Sequence, residues 1–397
     1  MFIDYFIAFV TLYVTIFYLF LLLEYGETAT AEPKHLTDVH LPKLSVIIPV
    51  YNEAGVISKT LDAVLACNYP RRKLEVIVVD DESKDDTVAE VKRFTKRGVK
   101  LLYNKHRGIG KSSALNTGIS AAHGELIATL DSDSFPSRDS LRLMVSYFAN
   151  PSVMAATAAV KVHEPKNFLE KVQGVEYILT ILSRKTLSFL DSVTATPGPL
   201  SVFRHSVFKQ IGLFDENSIL EDQEMAYRLQ RHNFKIVSSI SAEVSTQVPK
   251  TFKQLLRQRV RWNRGGLRNF YKYRHMFTPA YGDFGAIVLP LGLVGSLLVF
   301  AVLATLAWQI ITGQFLQNVL LGIDAVLYGF NPLYVIGAFI FALSLIWIFA
   351  SKEVLPNEGN MLSLPRIALY ILVYVYFMTV AWIATLFEEL FHTQQKW

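Results

Sequence analysis

Four long apolar stretches bound what this chain can become. Residues 2–23, FIDYFIAFVTLYVTIFYLFLLL, carry a single charge, Asp4. As a helix rising 1.5 Å per residue, such a stretch reaches about 33 Å, enough to cross a bilayer core. A cleaved signal peptide is the competing reading, with TATAE as a cleavage site, but no Lys or Arg precedes the apolar run. Three more apolar stretches lie at 286–311, 331–350 and 365–387, the first two without charge and the third with only Arg366 at its entry. With 51% hydrophobic residues overall, the pattern predicts about four transmembrane helices, one N-terminal and three C-terminal, beside a water-soluble part.

The connections suggest an orientation. Segment 312–330 lacks Lys and Arg, whereas 351–366 contains Lys352 and Arg366. The positive-inside rule then places 351–366, and with it the long segment 24–285, in the cytoplasm. The expected divisions are an N-terminal transmembrane helix (1–24), a cytoplasmic domain (25–249), a basic amphipathic interface segment (250–285) and a C-terminal transmembrane region (286–397). The expected location is the cell membrane, as a multi-pass protein. Cys67 is the sole cysteine, which excludes intrachain disulfides and cysteine-based zinc sites.

From residue 44, apolar β-branched runs alternate with helical spacing: LSVII (44–48), EVIVV (75–79), VKLLY (99–103) and LIATL (126–130) are separated by helices near 54–66, 84–97 and 110–122. This alternation predicts a parallel sheet in an α/β domain. Ligands of such sheets gather beyond the carboxyl ends of the strands. The polar clusters PVYNE, DDESKDD, NKHRGIGK and DSDS all fall there. Segments 166–190 and 250–275 have apolar residues at helical spacing; the second adds nine Lys or Arg and no acid. Both are expected to be amphipathic helices on the membrane face, with a core-packed helix as the alternative.

Asp131 and Asp133 follow the fourth apolar run, either as a Mg²⁺ or Mn²⁺ clamp that shares the ion with substrate phosphates or as an acidic turn. Arg107 and Lys111, around Gly108 and Gly110, offer positive charge without the Walker pattern. Glu53, Asp80 and Asp81 can accept hydrogen bonds from ribose or base edges, or form turns. Asp222, beside Glu221, is either a general base towards a hydroxyl acceptor or a helix cap.

Taken in order, VIIPVYNE, VVDDESKDDT, GIGKSSALNTG, DSD, PGPLSVFR, ED and QRVRW resemble glycosyltransferase family 2, in its membrane-bound cellulose, chitin and hyaluronan synthase-like branch, over residues 42–265. The resemblance implies a GT-A domain, a Rossmann-like mixed sheet with amphipathic interface helices. It implies donor contacts from Pro49, Tyr51, Glu53, Asp80, Asp81, Lys111, Asp131 and Asp133, with Asp131 and Asp133 on Mg²⁺ or Mn²⁺. It implies Asp222 as catalytic base, and Glu221, Gln258, Arg261 and Trp262 around the acceptor and departing diphosphate.

Four spans are fewer than the family's polymer-exporting synthases carry. The expectation is therefore transfer of one sugar, and the family resemblance implies that it is inverting. A resemblance to prokaryotic lipid-linked glycan mannosyltransferases leans the donor to GDP-mannose, with a UDP-sugar as the other donor class. The acceptor would be a hydroxyl of a polyprenyl-linked saccharide, in glycolipid or N-glycan precursor assembly. A processive polysaccharide synthase and a polyprenyl-phosphate glycosyl synthase are the alternatives. Membrane lipids are expected partners and nucleic acid is not.

Overall fold

The computed structural model of the protein describes residues 2–29, 31–104, 108, 110–314, 316–317, 332–354 and 361–391. Arg107 and most of the 312–330 connection, on which the orientation rests, lie outside them.

The four apolar runs form strands β1 (Leu44–Val50), β2 (Leu74–Asp80), β3 (Val99–Tyr103) and β4 (Leu126–Thr129), all parallel. Along β1, Val46 and Ile48 enter one apolar cluster and Ile47 the other, because successive side chains alternate between faces. A strand buried on both faces reads as an uninterrupted apolar run. Helices α2 (Ile57–Ala66), α3 (Thr87–Phe94) and α4 (Lys111–Ala121) connect them.

Beyond residue 130 the sheet changes sense. Strand β5 (Ser134–Pro136), helix α5 (Ser140–Ser146), β6 (Val153–Val162), helix α6 (Phe168–Phe189), β7 (Ser201–Arg204), helices α7 (His205–Ile211) and α8 (Glu221–Arg231), and β8 (Lys235–Thr246) follow. β7 runs antiparallel to β4 and to β6, and β8 parallel to β6. The completed sheet has the order β3-β2-β1-β4-β7-β6-β8-β5. It is mixed, where alternation alone gave only its parallel half. β1 lies between β2 and β4, so the chain reverses its direction of travel across the sheet there, and a crevice opens at that switch point.

Pro49 marks the opening. Ile47 accepts from Leu130 N at 3.0 Å, whereas Val50 accepts from Asp81 N at 2.9 Å on the other side. By alternation, the missing N–H of Pro49 faces β4, whose pairing with β1 stops at Ile47–Thr129. A central strand tolerates proline here because its neighbour has already turned away.

The two amphipathic segments are helices with reciprocal caps. In α6, Asn167 Oδ1 accepts from Glu170 N at 2.9 Å while Glu170 Oε2 accepts from Asn167 N at 2.8 Å. Thr251 and Gln254 cap α9 (Phe252–Lys272) in the same way. α6 packs against β6 and β8 and also against α1 (Phe2–Ala29) and helix Pro332–Val354. It is thus buried between sheet and apolar helices, with Val172, Val175, Ile178 and Leu182 inside and Phe168 exposed.

The strongly basic character expected of 250–275 is offset in part by tertiary contacts. Arg259 pairs with Glu176 at 2.5 Å, Arg264 with Glu388 and Glu389 at 2.7 and 2.6 Å, and Lys272 with Asp215 and Glu224, each at 2.8 Å. Glu388 and Glu389 come from helix 364–390, which packs along α9.

Among the described residues, two helical stretches are long and apolar enough to cross a membrane, Tyr5–Tyr25 and Phe284–Ile311. The latter is a π-helical turn, Phe284–Val288, continuing into α10 (Leu289–Ile311). Val335–Phe349 is apolar over a shorter length.

Candidate active site

The loops after β1 and β2 are knitted together at the crevice. Asn52 and Glu82 both adopt left-handed backbone, at φ 56° and 72°. Asn52 N donates to Ser83 Oγ at 3.0 Å, and Asn52 Oδ1 accepts from Lys84 N at 2.8 Å. Asp80 and Asp81 are both buried but differ in task. Asp81 accepts from Asn104 Nδ2 at 2.7 Å and from Gly108 N and Gly110 N at 2.9 Å, so its carboxylate holds the following glycine loop. Among the described residues the Asp80 carboxylate accepts only long bonds of 3.3 Å from Ser83 N, which leaves it the better acceptor for a ligand. Tyr51 is exposed at the crevice and Pro49 is buried in the strand.

A charged cluster fills the crevice floor. Lys111, the first residue of α4, places Nζ 2.6 Å from Asp131 Oδ1 and 2.9 Å from Glu221 Oε1. Burial alone would lower its pKa, but the two carboxylates outweigh it and raise the value. Burial, then the charge of Asp131, pushes Asp133 up to about 6. Burial and the charge of Asp133 push Glu53 up to about 7. Burial and mutual repulsion both disfavour the ionised form of these carboxyls, so a bound cation would be favourable among them.

Segment 195–200 links this cluster to the expected base. Asp131 N donates to Gly198 O at 3.1 Å, while Thr196 N and Oγ1 donate to Asp222 O at 3.1 and 2.9 Å. Gly198 touches the ion pair so closely that an added Cβ would lie 2.4 Å from Lys111 Nζ and 2.7 Å from both Asp131 carboxylate oxygens.

Glu221 and Asp222 open α8, whose N-cap is Leu220 with no capping side chain. Asp222 is therefore not the cap. Burial, then the neighbouring Glu221 charge, pushes Asp222 up to about 6. Burial would also raise Glu221, but Lys111 and Arg261 more than offset it, so Glu221 stays ionised. The two adjacent carboxyls are thus tuned apart, one locked in an ion pair and one poised to exchange a proton.

Asp222 lines a cavity of about 320 Å³ between α6, segment 195–199, α8 and α9. Trp262 and Asn263 form its α9 wall, and Glu176, Tyr177 and Arg184 its α6 wall. Trp262 is steadied by the Arg259 guanidinium 4.1 Å from its ring centroid, and the same guanidinium donates to Gln258 Oε1 at 2.6 Å. Arg259 is nearly fully buried and is itself held by Glu176 and by Tyr374 OH at 3.1 Å. Tyr374 OH in turn donates to Glu176.

The structure thus brings Glu53, Lys111, Asp131, Asp133, Glu221 and Asp222 into one crevice, with Arg261 acting on Glu221 and Asp222. Gln258 and Trp262 meet through Arg259 on the far wall. Sequence assigns no site role to Gly198, Arg259, Glu176 or Tyr374, and marks Arg184 only as a charge on the amphipathic 166–190 helix. Gly198 and Arg259 lie inside quoted motifs, the only signal available; Glu176 and Tyr374 carry none.

No three His, Cys, Asp or Glu side chains among the described residues converge as a complete metal cage. Two aspartates beside raised-pKa carboxyls nevertheless fit Mg²⁺ or Mn²⁺, which take one or two carboxylates and complete their shell with water and substrate phosphate.

The family model described as "Glycosyltransferase like family 2" matches residues 42–265. The probable glycosyltransferase YdaM of Bacillus subtilis is 30% identical over 279 residues, 66% of this chain and 66% of that protein. A poly-beta-1,6-N-acetyl-D-glucosamine synthase of Staphylococcus epidermidis is 30% identical over 234 residues, 57% of this chain and 56% of the relative. The chain therefore spans between just over half and two thirds of the length of these curated relatives. Among solved structures, the mannosyltransferase PcManGT from Pyrobaculum calidifontis, in complex with GDP-Man and Mn²⁺, matches with a TM-score of 0.61 at 24% identity. The match covers 85% of this chain and 98% of that one, and identifies the fold as GT-A-like.

Proposed function

The chain belongs to glycosyltransferase-like family 2, and from that membership we propose that it is a membrane-bound inverting transferase that adds one sugar to a hydroxyl of a lipid-linked saccharide. The observation that carries this reading is Asp222: a carboxyl pushed up to about 6, in a cavity walled by the Trp262 face, one residue from the Glu221–Lys111–Asp131 chain of charges. An ionised Asp222 accepts the proton of an acceptor hydroxyl, whose oxygen attacks the anomeric carbon as the nucleoside diphosphate leaves from the opposite face. Asp80 is the candidate acceptor of hydrogen bonds from the nucleoside, and Lys111 and Arg261 the cations facing the diphosphate. Asp131 and Asp133 would hold a divalent ion, which when bound offsets charge on the leaving diphosphate. Trp262 offers a flat apolar face to the acceptor ring.

Mannosyl transfer from GDP-mannose is the preferred donor assignment, and GDP-Man in the PcManGT complex supports it only as an analogy. The proposed arrangement is multi-pass with a cytoplasmic catalytic domain, a reading supported by the four apolar stretches and the basic bias of 24–285, while two qualifying helices among the described residues support membrane association. A second reading, a processive synthase using a UDP-sugar, is favoured by the synthases among the relatives.

The test incubates the purified protein with Mg²⁺ or Mn²⁺, labelled GDP- and UDP-sugars and a lipid extract. A single labelled sugar on a lipid-linked glycan is expected. A long polymer would instead establish the synthase, and label on bare polyprenyl phosphate would refute a hydroxyl acceptor.

A further inference from the structure

The acceptor cavity contains a cation that the chemistry above does not use. Arg184 lines it from α6, near enough for the Asp222 charge to act on it. Its hydrogen bond among the described residues runs from Nη1 to Ala158 O at 3.3 Å, and no carboxylate among them lies within ion-pair distance. A guanidinium carries five donors in a planar fork that matches carboxylate or phosphate oxygens. By contrast Arg259, Arg264 and Lys272 on α9 are each matched by carboxylates. Burial pushes Arg184 down to about 10, a desolvation cost that a bound anion would offset.

A second observation bears on which anion. On an adjacent face of α6, Leu179 and Ser183 line an apolar cavity of about 500 Å³ whose other walls come from α1 (Tyr18), helix Pro332–Val354 (Trp347) and Tyr370. Neighbouring residues 183 and 184 therefore line an apolar cavity against the helices and a charged one against the catalytic carboxylate. Such neighbouring cavities suit a molecule that carries hydrocarbon, anion and sugar in that order.

We propose that Arg184 is a specificity-determining residue, the counter-ion for a phosphate group that links the acceptor sugar to its lipid. The proposal rests on the lipid-linked acceptor reading above. It gives Arg184 no part in bond making.

Three probes with one alkyl chain and one sugar skeleton test it: a decyl glycoside, the corresponding decyl glycosyl phosphate and the decyl uronide. For the native enzyme, kcat/KM for the phosphate is expected to exceed that for the neutral glycoside by ~10- to 100-fold, the scale of a charged hydrogen-bonding group. Arg184→Gln should collapse that ratio towards one, and Arg184→Lys, which keeps charge without the fork, should restore part of it. Equal use of glycoside and phosphate by the native enzyme would overturn the proposal while leaving the transferase reading intact. Preference for the uronide would overturn the phosphate assignment. If Arg184→Gln shifted the acid limb of the pH profile but kept the phosphate ratio, Arg184 would only tune Asp222, and the proposal would fall. Absence of transfer to all three and to a lipid extract would overturn both readings.

Discussion

Gly198→Ala places one methyl group against the charged cluster and should disable the enzyme without unfolding it. The new Cβ would lie 2.4 Å from Lys111 Nζ and 2.7 Å from each Asp131 carboxylate oxygen, against an ordinary heavy-atom separation of about 3.5–4.0 Å. Something must move by about 1 Å. Lys111 has little room, since Nζ is pinned between Asp131 and Glu221 at 2.6 and 2.9 Å. Asp131 cannot simply step back, because its own N–H donates to Gly198 O at 3.1 Å. Overpacking of this kind costs about 1–3 kcal/mol of stability. A catalytic group misplaced by about 1 Å costs on the order of 10²-fold in rate. The assay pairs initial transfer rates with Mn²⁺ binding followed by electron paramagnetic resonance in the presence of donor nucleotide. Both should fall, while thermal unfolding stays cooperative. Gly266→Ala in α9 is the control: its Cβ would meet nothing nearer than 3.8 Å, and alanine favours the helix. A Gly198→Ala enzyme with rate and Mn²⁺ affinity within about threefold of native, far short of the loss expected from misplacement, would refute the reasoning.

Further outcomes follow from the same geometry. Because the proposed base works only when ionised and its carboxyl is pushed up to about 6, transfer at saturating donor should fall as pH drops through that value. A midpoint near the ordinary aspartate value of 3.8 would contradict the buried setting. Asp222→Asn should bind nucleotide yet lose ~10²-fold or more in transfer, as expected when a general base is removed. Native-level rates would exclude that role. Arg259→Met removes the support of both Gln258 and Trp262 and leaves Tyr374 as the side-chain partner of Glu176 among the described residues; acceptor KM should rise more than donor KM in steady-state kinetics. Glu388→Ala with Glu389→Ala takes two carboxylates, each about a third exposed, from the buried Arg264, and denaturation should show a loss of about 1–3 kcal/mol, less than for a fully buried pair because water screens the carboxylates.

Sequence alone determined the parts whose cause is local. The runs at 44–48, 75–79, 99–103 and 126–130 are strands because side chains buried on both faces of a parallel sheet leave an uninterrupted apolar signature. The capped helices at 168–189 and 252–272 follow from amphipathic spacing and the residues that begin them. Order along the chain also placed the acidic clusters at strand ends, where an α/β sheet presents its ligands. The antiparallel half of the sheet was not legible that way, since β7 and β5 are only 4 and 3 residues long and carry too little periodicity.

Tertiary structure decided what each charge does. Lys111 reads from sequence as positive charge for a phosphate, and the fold adds what sequence does not show, that it bridges Asp131 and Glu221, residues 20 and 110 positions away. Segment 250–275 has no acid of its own, yet Glu176, Asp215, Glu224, Glu388 and Glu389 reach it from other parts of the chain. Asp81 and Asp80 are neighbours of one residue type, and only the packing of the glycine loop commits the first to structure and leaves the second open to a ligand. Periodicity and turn chemistry act within a few residues, so they can be read along a chain. Ion pairing, burial and the space beside a glycine depend on which distant segments the sheet order brings together, and no local pattern contains that information.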